Sequence, residues 1–145
     1  MPGITVGIDG SDNAHHALIW AMKEAAQREV KLTVLTVHET IKGYWTGRPV
    51  TFAGDDERVS QAREAAGQAV AAVAKELGED SQPQVTVTAI NGFAAQALIE
   101  ASADADLLVV GTRGGGGFPH LNLGAVSSQV VHHAKCPIVL VPHDR

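Results

Sequence analysis

The sequence predicts an α/β fold: one doubly wound, five-stranded parallel sheet with helices on both faces. Three observations lead there. Short β-branched runs alternate along the chain with longer stretches of helical periodicity, the pattern of repeated strand–helix–strand crossovers. One run, Leu107 to Val110, has no polar face, as a strand covered on both sides requires. The composition is 45% hydrophobic but only 4% aromatic, which suits small-residue helices packed on a valine-rich sheet. At 145 residues, with no internal repeat and no linker, residues 1–145 read as a single domain able to bury a core.

Each element has its own local signal. Ile4 to Asp9 is the first strand, and Asp9-Gly10-Ser11 turns the chain, with Ser11 or Asp12 available to cap the next helix. In that helix Ala14, Ala17, Leu18, Ala21, Met22 and Ala25 fall on one face. Lys31 to His38 is the second strand. Glu39 to Gly54 holds three glycines, Pro49, Tyr44 and Trp45, and reads as a long irregular loop. Asp55 or Asp56 caps a long helix with the stripe Val59, Ala62, Ala66, Ala69, Val73 and Leu77, and Gly78 stands at its C′ position. After a polar loop, Glu79 to Pro83, come a third strand, Gln84 to Ile90, a turn at Asn91-Gly92, and a short helix bearing Ala94, Ala97, Leu98 and Ala101. The buried run Leu107 to Val110 is the fourth strand. The last helix ends near His133, and Ile138 to Val141, between Pro137 and Pro142, is the fifth strand.

Composition narrows the function. A net charge of −5 argues against a nucleic-acid partner, so a bound phosphate has to be held by local groups. No apolar run approaches a membrane span, and the opening MPGITVGIDG lacks the basic and apolar regions of a secretion signal. Cys136 is the one cysteine, which excludes an internal disulfide and suits a reducing compartment; the expected location is the cytoplasm.

The chemistry concentrates after the fourth strand. Gly111 to Gly117 places five glycines around Thr112 and Arg113, and Gly124 precedes Ala125, Val126, Ser127 and Ser128 at the start of the last helix. A buried strand, a glycine-rich loop and a helix N-terminus in that order form an anion cradle, because glycines let amides turn inward and the first helical turn has unpaired N–H groups. A run of glycines alone is more often a flexible surface loop; its position between a buried strand and a helix favours the cradle. There is no Gly-Lys-Ser/Thr of a Walker A loop and no GxGxxG after the first strand, and Arg113 is the only cation in the loop. Ligands of doubly wound sheets sit at the carboxyl ends of strands where strand order reverses. Asp9 and the Gly111 loop both lie at such ends and face one crevice if the first and fourth strands are neighbours.

Three matches in order, VGIDGS (Val6 to Ser11), Gly111, Gly114 and Gly124 in the spacing Gly-x2-Gly-x9-Gly, and CPIVLVP (Cys136 to Pro142), make the chain resemble the nucleotide-binding branch of the universal stress protein family over its whole length. The resemblance implies a Rossmann-like, adenine nucleotide alpha hydrolase-like fold. It implies Asp9 and Val37 at the ribose and adenine, Gly111, Arg113 and Gly114 along the ribose–phosphate side, and Gly124, Ala125, Val126 and Ser127 at the phosphates. The implied ligand is ATP, or ADP or AMP, with Mg²⁺ as an optional companion. The implied assembly is a homodimer through Ile138 to Val141. Ala125 departs from the family pattern, which has Ser or Thr there; the missing hydroxyl removes about 0.5–1.5 kcal/mol of phosphate binding, or up to about tenfold in affinity, unless Ser127 or Ser128 compensates.

The remaining candidates have plainer alternatives. Asp9 could bond its own turn, the Val37 side chain could be core with only its backbone at the base, and Arg113 could be a solvated loop residue. His15–His16 and His132–His133 are adjacent pairs, which on a helix point about 100° apart and chelate poorly together; the latter pair suits the helix C-terminus. Cys136 reads as a buried structural thiol. Tyr44, Trp45 and Phe52 could cover a base or pack at a subunit surface. A regulatory ATP-binding module acting in the stress response is the leading function, since the loop supplies neither a lysine nor an obvious carboxylate for hydrolysis, which would at most be slow. The alternatives are a weak ATPase or phosphoryl-transfer enzyme using His120, and a nucleotide-independent dimeric adaptor.

Overall fold

The computed structural model describes residues 3–9, 12–39, 41–42, 49–50, 55–78, 82–112 and 125–142. In chain order the elements are β1 (Ile4–Ile8), α1 (Asp12–Arg28), β2 (Leu32–Glu39), β3 (Ile41–Lys42), β4 (Pro49–Val50), α2 (Asp55–Leu77), β5 (Val85–Gly92), α3 (Ala94–Ser102), β6 (Leu107–Gly111), α4 (Ala125–His133) and β7 (Ile138–Val141). Five strands form one sheet in the order β5-β2-β1-β6-β7, with every neighbouring pair parallel. The first and fourth predicted strands, β1 and β6, are therefore neighbours, and the strand order reverses between them.

Side-chain alternation sends each strand's residues to two cores. Ile4, Val6, Leu32, Val34, Leu107, Val109 and Val141 pack with Ala17, Leu18, Ala21, Met22 and Ala25 of α1 and Val73 of α2. Leu35, Leu108 and Val110 pack with Leu98 of α3 and Val130 of α4 on the other face. Helices thus cover both faces, as expected. The predicted α1 stripe, Ala14 through Ala25, is buried at all six positions. Gly7 marks a close approach: a Cβ there would stand 2.7 Å from Leu98 Cδ2, so its lack of a side chain lets α3 lie on β1.

Four expectations are corrected. Asn91 and Gly92 do not turn the chain; they extend β5, in register with His38 and Glu39. The local turn preference of Asn-Gly yields to a ladder with β2, which runs one residue further than predicted. The segment Glu39 to Gly54 is not wholly irregular: Glu39 ends β2, and β3 and β4 pair antiparallel, Ile41 opposite Val50 and Lys42 opposite Pro49. Asp55 does not precede α2 but is its first residue. Cys136 is only half-buried and lies in the bend before β7.

Two turns are tied by groups that the sequence did not single out. Gly78 has φ 86° and donates to the Ala74 carbonyl at 3.1 Å, the predicted C′ role, and Gln82 Nε2 donates to the carbonyls of Ala74 (2.9 Å) and Gly78 (2.7 Å). The fully buried Ser102 ends α3; its hydroxyl donates to the Ile99 carbonyl and accepts from the Lys135 amide at 2.8 Å. That bond joins α3 to the turn leading into β7.

Candidate nucleotide site

The ladders show where the sheet opens. β1 pairs with β2 through Ile8↔Thr36, and β6 pairs with β7 through Gly111↔Val141. Between them, β1 and β6 register only from Ile4↔Leu107 to Val6↔Val109. The last two residues of each strand are thus held by the outer neighbour, and the sheet divides at the point of strand-order reversal. β2 and β5 continue past Ile8↔Thr36 to Glu39↔Gly92, three residues or about 10 Å further. The end of β1 is consequently a floor with a taller wall, β2 and β5, on one side and β6 with β7 on the other.

The predicted site residues that are described fall around this cleft. Asp9 is exposed and directly follows β1, at its floor. Val37 lies one residue beyond the last β1–β2 pair; its half-buried side chain packs against the α3–α4 core, which leaves its backbone as the part available at the cleft. Gly111 is the last residue of β6. Ala125, Val126 and Ser127 form the first turn of α4, Val126 half-buried against the core and Ser127 buried. Arg113, Gly114 and Gly124 lie outside the described residues, as do Ser11, Tyr44, Trp45, Phe52, His120 and the side chain of Ala125.

One contact fixes the α4 end of the cleft. The Ser127 hydroxyl donates to the carbonyl oxygen of Gly111, so the first turn of α4 is fastened to the last residue of β6. This brings the amides of that turn, which have no partner within the helix, beside the division in the sheet. No acidic residue occupies the turn, so nothing there opposes the partial positive charge of the helix start. The arrangement can hold an anion without a basic side chain.

Other groups singled out by sequence lie elsewhere. His15 Nε2 is 3.7 Å from Glu76 Oε1, linking α1 to α2. His132 and His133 occupy the last turn of α4 with their rings 6.4 Å apart. Among the described residues no group of three or more His, Cys, Asp or Glu could share a metal ion. Burial pushes the Cys136 thiol above its ordinary pKa, Asp106 adds to the rise, and a backbone hydrogen bond from Leu108 partly opposes it. A groove of about 340 Å³ lined by Ala25, Glu29, Lys31 and Gln82 opens at the amino ends of the strands, the end that open α/β sheets do not use for ligands. No described helix is long and apolar enough to cross a membrane.

Comparison with known proteins agrees with this fold. The model of the universal stress protein family matches residues 2–142. A universal stress protein of Mycolicibacterium smegmatis is 33% identical over 142 residues, covering 98% of this chain and 48% of its own length; the chain spans about half the length of the curated relatives it matches. Among solved structures, universal stress protein UspA from Lactobacillus plantarum superposes with a TM-score of 0.77 at 24% identity, covering 97% of both chains. A universal stress protein in complex with cAMP gives 0.69 at 23%, covering 99% of this chain and 98% of its own. One from Archaeoglobus fulgidus in complex with dAMP gives 0.65 at 19%, covering 97% and 98%. These structural likenesses establish the fold, and the match of the family model along nearly the whole chain establishes that it belongs to the universal stress protein family.

Proposed function

We propose that this chain is a regulatory module that binds an adenine nucleotide in the cleft between the carboxyl ends of β1 and β6. The observation that carries the reading is the division of the sheet after Val6↔Val109 while both flanking ladders run on. The phosphates meet the first turn of α4 and the glycine loop with Arg113, Gly114 and Gly124; the ribose meets Asp9; the base lies at Val37. The adenine nucleotides bound by the cAMP and dAMP complexes of related fold support the ligand class. ATP is the proposed ligand, with ADP and AMP as competitors and Mg²⁺ accompanying the polyphosphates. The loop sequence supplies neither a lysine nor an obvious carboxylate for the γ-phosphate, so this reading takes the site as one for binding more than turnover. In this reading the protein works in the cytoplasm, where ligand occupancy changes its contacts with a partner in the stress response.

We also propose a homodimer through β7. That strand lies at a sheet edge, its Ile138, Val139 and Leu140 are only half-buried, and Val131 on the adjacent α4 is 40% exposed. An apolar edge of this kind is ordinarily covered. Gel filtration with light scattering gives a dimer if so, and a stable monomer contradicts it.

The nucleotide reading is tested by mass spectrometry of ligand released on denaturing the purified protein, together with thermal shift on adding ATP, AMP and cAMP. Recovery of an adenine nucleotide, or a rise in Tm, is the expected result. An empty protein that none of the three stabilises favours the nucleotide-independent adaptor, the reading to which Ala125 points.

A further inference from the structure

Asn91 has a side-chain oxygen that the fold does not use. Oδ1 is buried and has no hydrogen-bond partner, the one such buried side-chain atom among the described residues. Buried polar atoms are nearly always bonded, so an unbonded one in a native protein asks for an explanation. In a turn, an asparagine side chain would bond the local backbone. Asn91 is instead a strand residue, opposite His38 in the β2–β5 ladder, so that explanation is gone.

Its place in the fold supplies another. Asn91 stands on the part of β5 that projects past the end of β1, in the taller wall of the cleft. Strand alternation puts it on the same face as Val85 and Val87, the face covered by α1 and α2. Crossing the sheet from α4 and β6 to β1, then β2, then β5 takes three strand spacings, about 14 Å. Phosphate, ribose and base would meet those strands in that order, and β5 would come last, at the outer edge of the base.

We infer that Asn91 reads the base edge, its Oδ1 accepting a hydrogen bond from the exocyclic amine of adenine. This rests on the nucleotide reading above and adds its base specificity. An amide oxygen accepts from the adenine amine, whereas the corresponding group of guanine is itself an acceptor. The carboxamide does not titrate, so this preference is independent of pH across the neutral range.

The test is calorimetric titration of wild type and Asn91→Leu with two probes, AMP and purine riboside 5′-monophosphate, which lacks only the amine. Wild type should bind AMP about three- to tenfold more tightly than the amine-free analogue. In Asn91→Leu the affinity for AMP should fall by about that factor while the analogue is unaffected, closing the gap. Without ligand, Asn91→Leu should melt at or above the wild-type temperature, because it removes an unbonded buried oxygen. Asn91→Ala supplies the same comparison if leucine is too bulky to fold. The inference is overturned if wild type does not distinguish the probes, if the gap persists in the variants, or if both variants melt well below wild type, since the oxygen would then be bonded in the free protein. If wild type binds neither probe, the nucleotide reading itself has failed.

Discussion

The fastening between Ser127 and Gly111 is where the stability of the fold and the shape of the cleft meet, and Ser127→Ala isolates it. Ser127 is 5% exposed and its hydroxyl donates to the Gly111 carbonyl at the end of β6. A neutral hydrogen bond of this kind contributes about 0.5–1.5 kcal/mol, rising towards about 2 kcal/mol if the carbonyl stays dry once its donor is gone. Against that, alanine gains up to about 0.5 kcal/mol of helix propensity over serine. Ser128→Ala, one residue along in the same helix and half-buried, carries the propensity gain without the bond. Ser127→Ala should therefore be less stable than Ser128→Ala by about 1 kcal/mol, or roughly 2–4 °C in Tm for a chain of this size. Urea denaturation should show the difference as a lower midpoint at an unchanged slope. ATP affinity should fall in Ser127→Ala as well, because the amides of α4 are no longer held against β6. If the two variants unfold at midpoints equivalent to within about 0.3 kcal/mol, the fastening contributes nothing and its account is wrong.

Three further outcomes follow from other contacts. Gly114→Ala should lower ATP affinity more than Ala125→Ser changes it, since in the proposed cradle a Cβ at that position would obstruct the phosphates whereas the serine would only restore one hydroxyl; a Gly114→Ala variant that binds ATP like wild type by calorimetry would refute the cradle. Gly3→Ala should destabilise by about 1–3 kcal/mol, because its Cβ would stand 2.3 Å from the Lys31 carbonyl oxygen, a backbone atom that cannot step aside; a wild-type Tm would contradict this. The Cys136 thiol, raised by burial above its ordinary value of 9.0, lends stability that is fully present below that pH and is lost as pH rises through the higher folded-state value. Absorbance titration of the thiolate checks this, and a value below 9.0 in the folded protein would refute it.

How much could be read in advance depended on whether the signal was local. The α1 face was legible because six small or apolar residues at helical spacing leave no other surface to bury. β7 was legible to the residue, being bracketed by Pro137 and Pro142. The cleft was half-legible. Sequence placed Asp9 and Gly111 at strand ends, but their adjacency needed the β1–β6 pairing, which joins residues about a hundred positions apart. Asn91-Gly92 misled because a turn preference is local and the ladder that overrides it is not. Ser102 gave no signal at all, since its partner Lys135 lies 33 residues on. Cys136 was expected to be buried because it leads into a strand, yet that strand lies at the sheet edge, where cover is incomplete.

In the proposed site, peptide N–H groups at the end of β6 and the start of α4 grip the nucleotide phosphates. Titrating ATP into ¹⁵N-labelled protein and following each amide by NMR tests this most directly. Saturable shifts are expected at Gly111, Val126 and Ser127, with Asp9 and Val37 moving in step and Glu29, Lys31 and Gln82 at the opposite end of the strands unmoved. Shifts confined to that opposite end, or no saturable shift at Gly111 and Ser127, would contradict it.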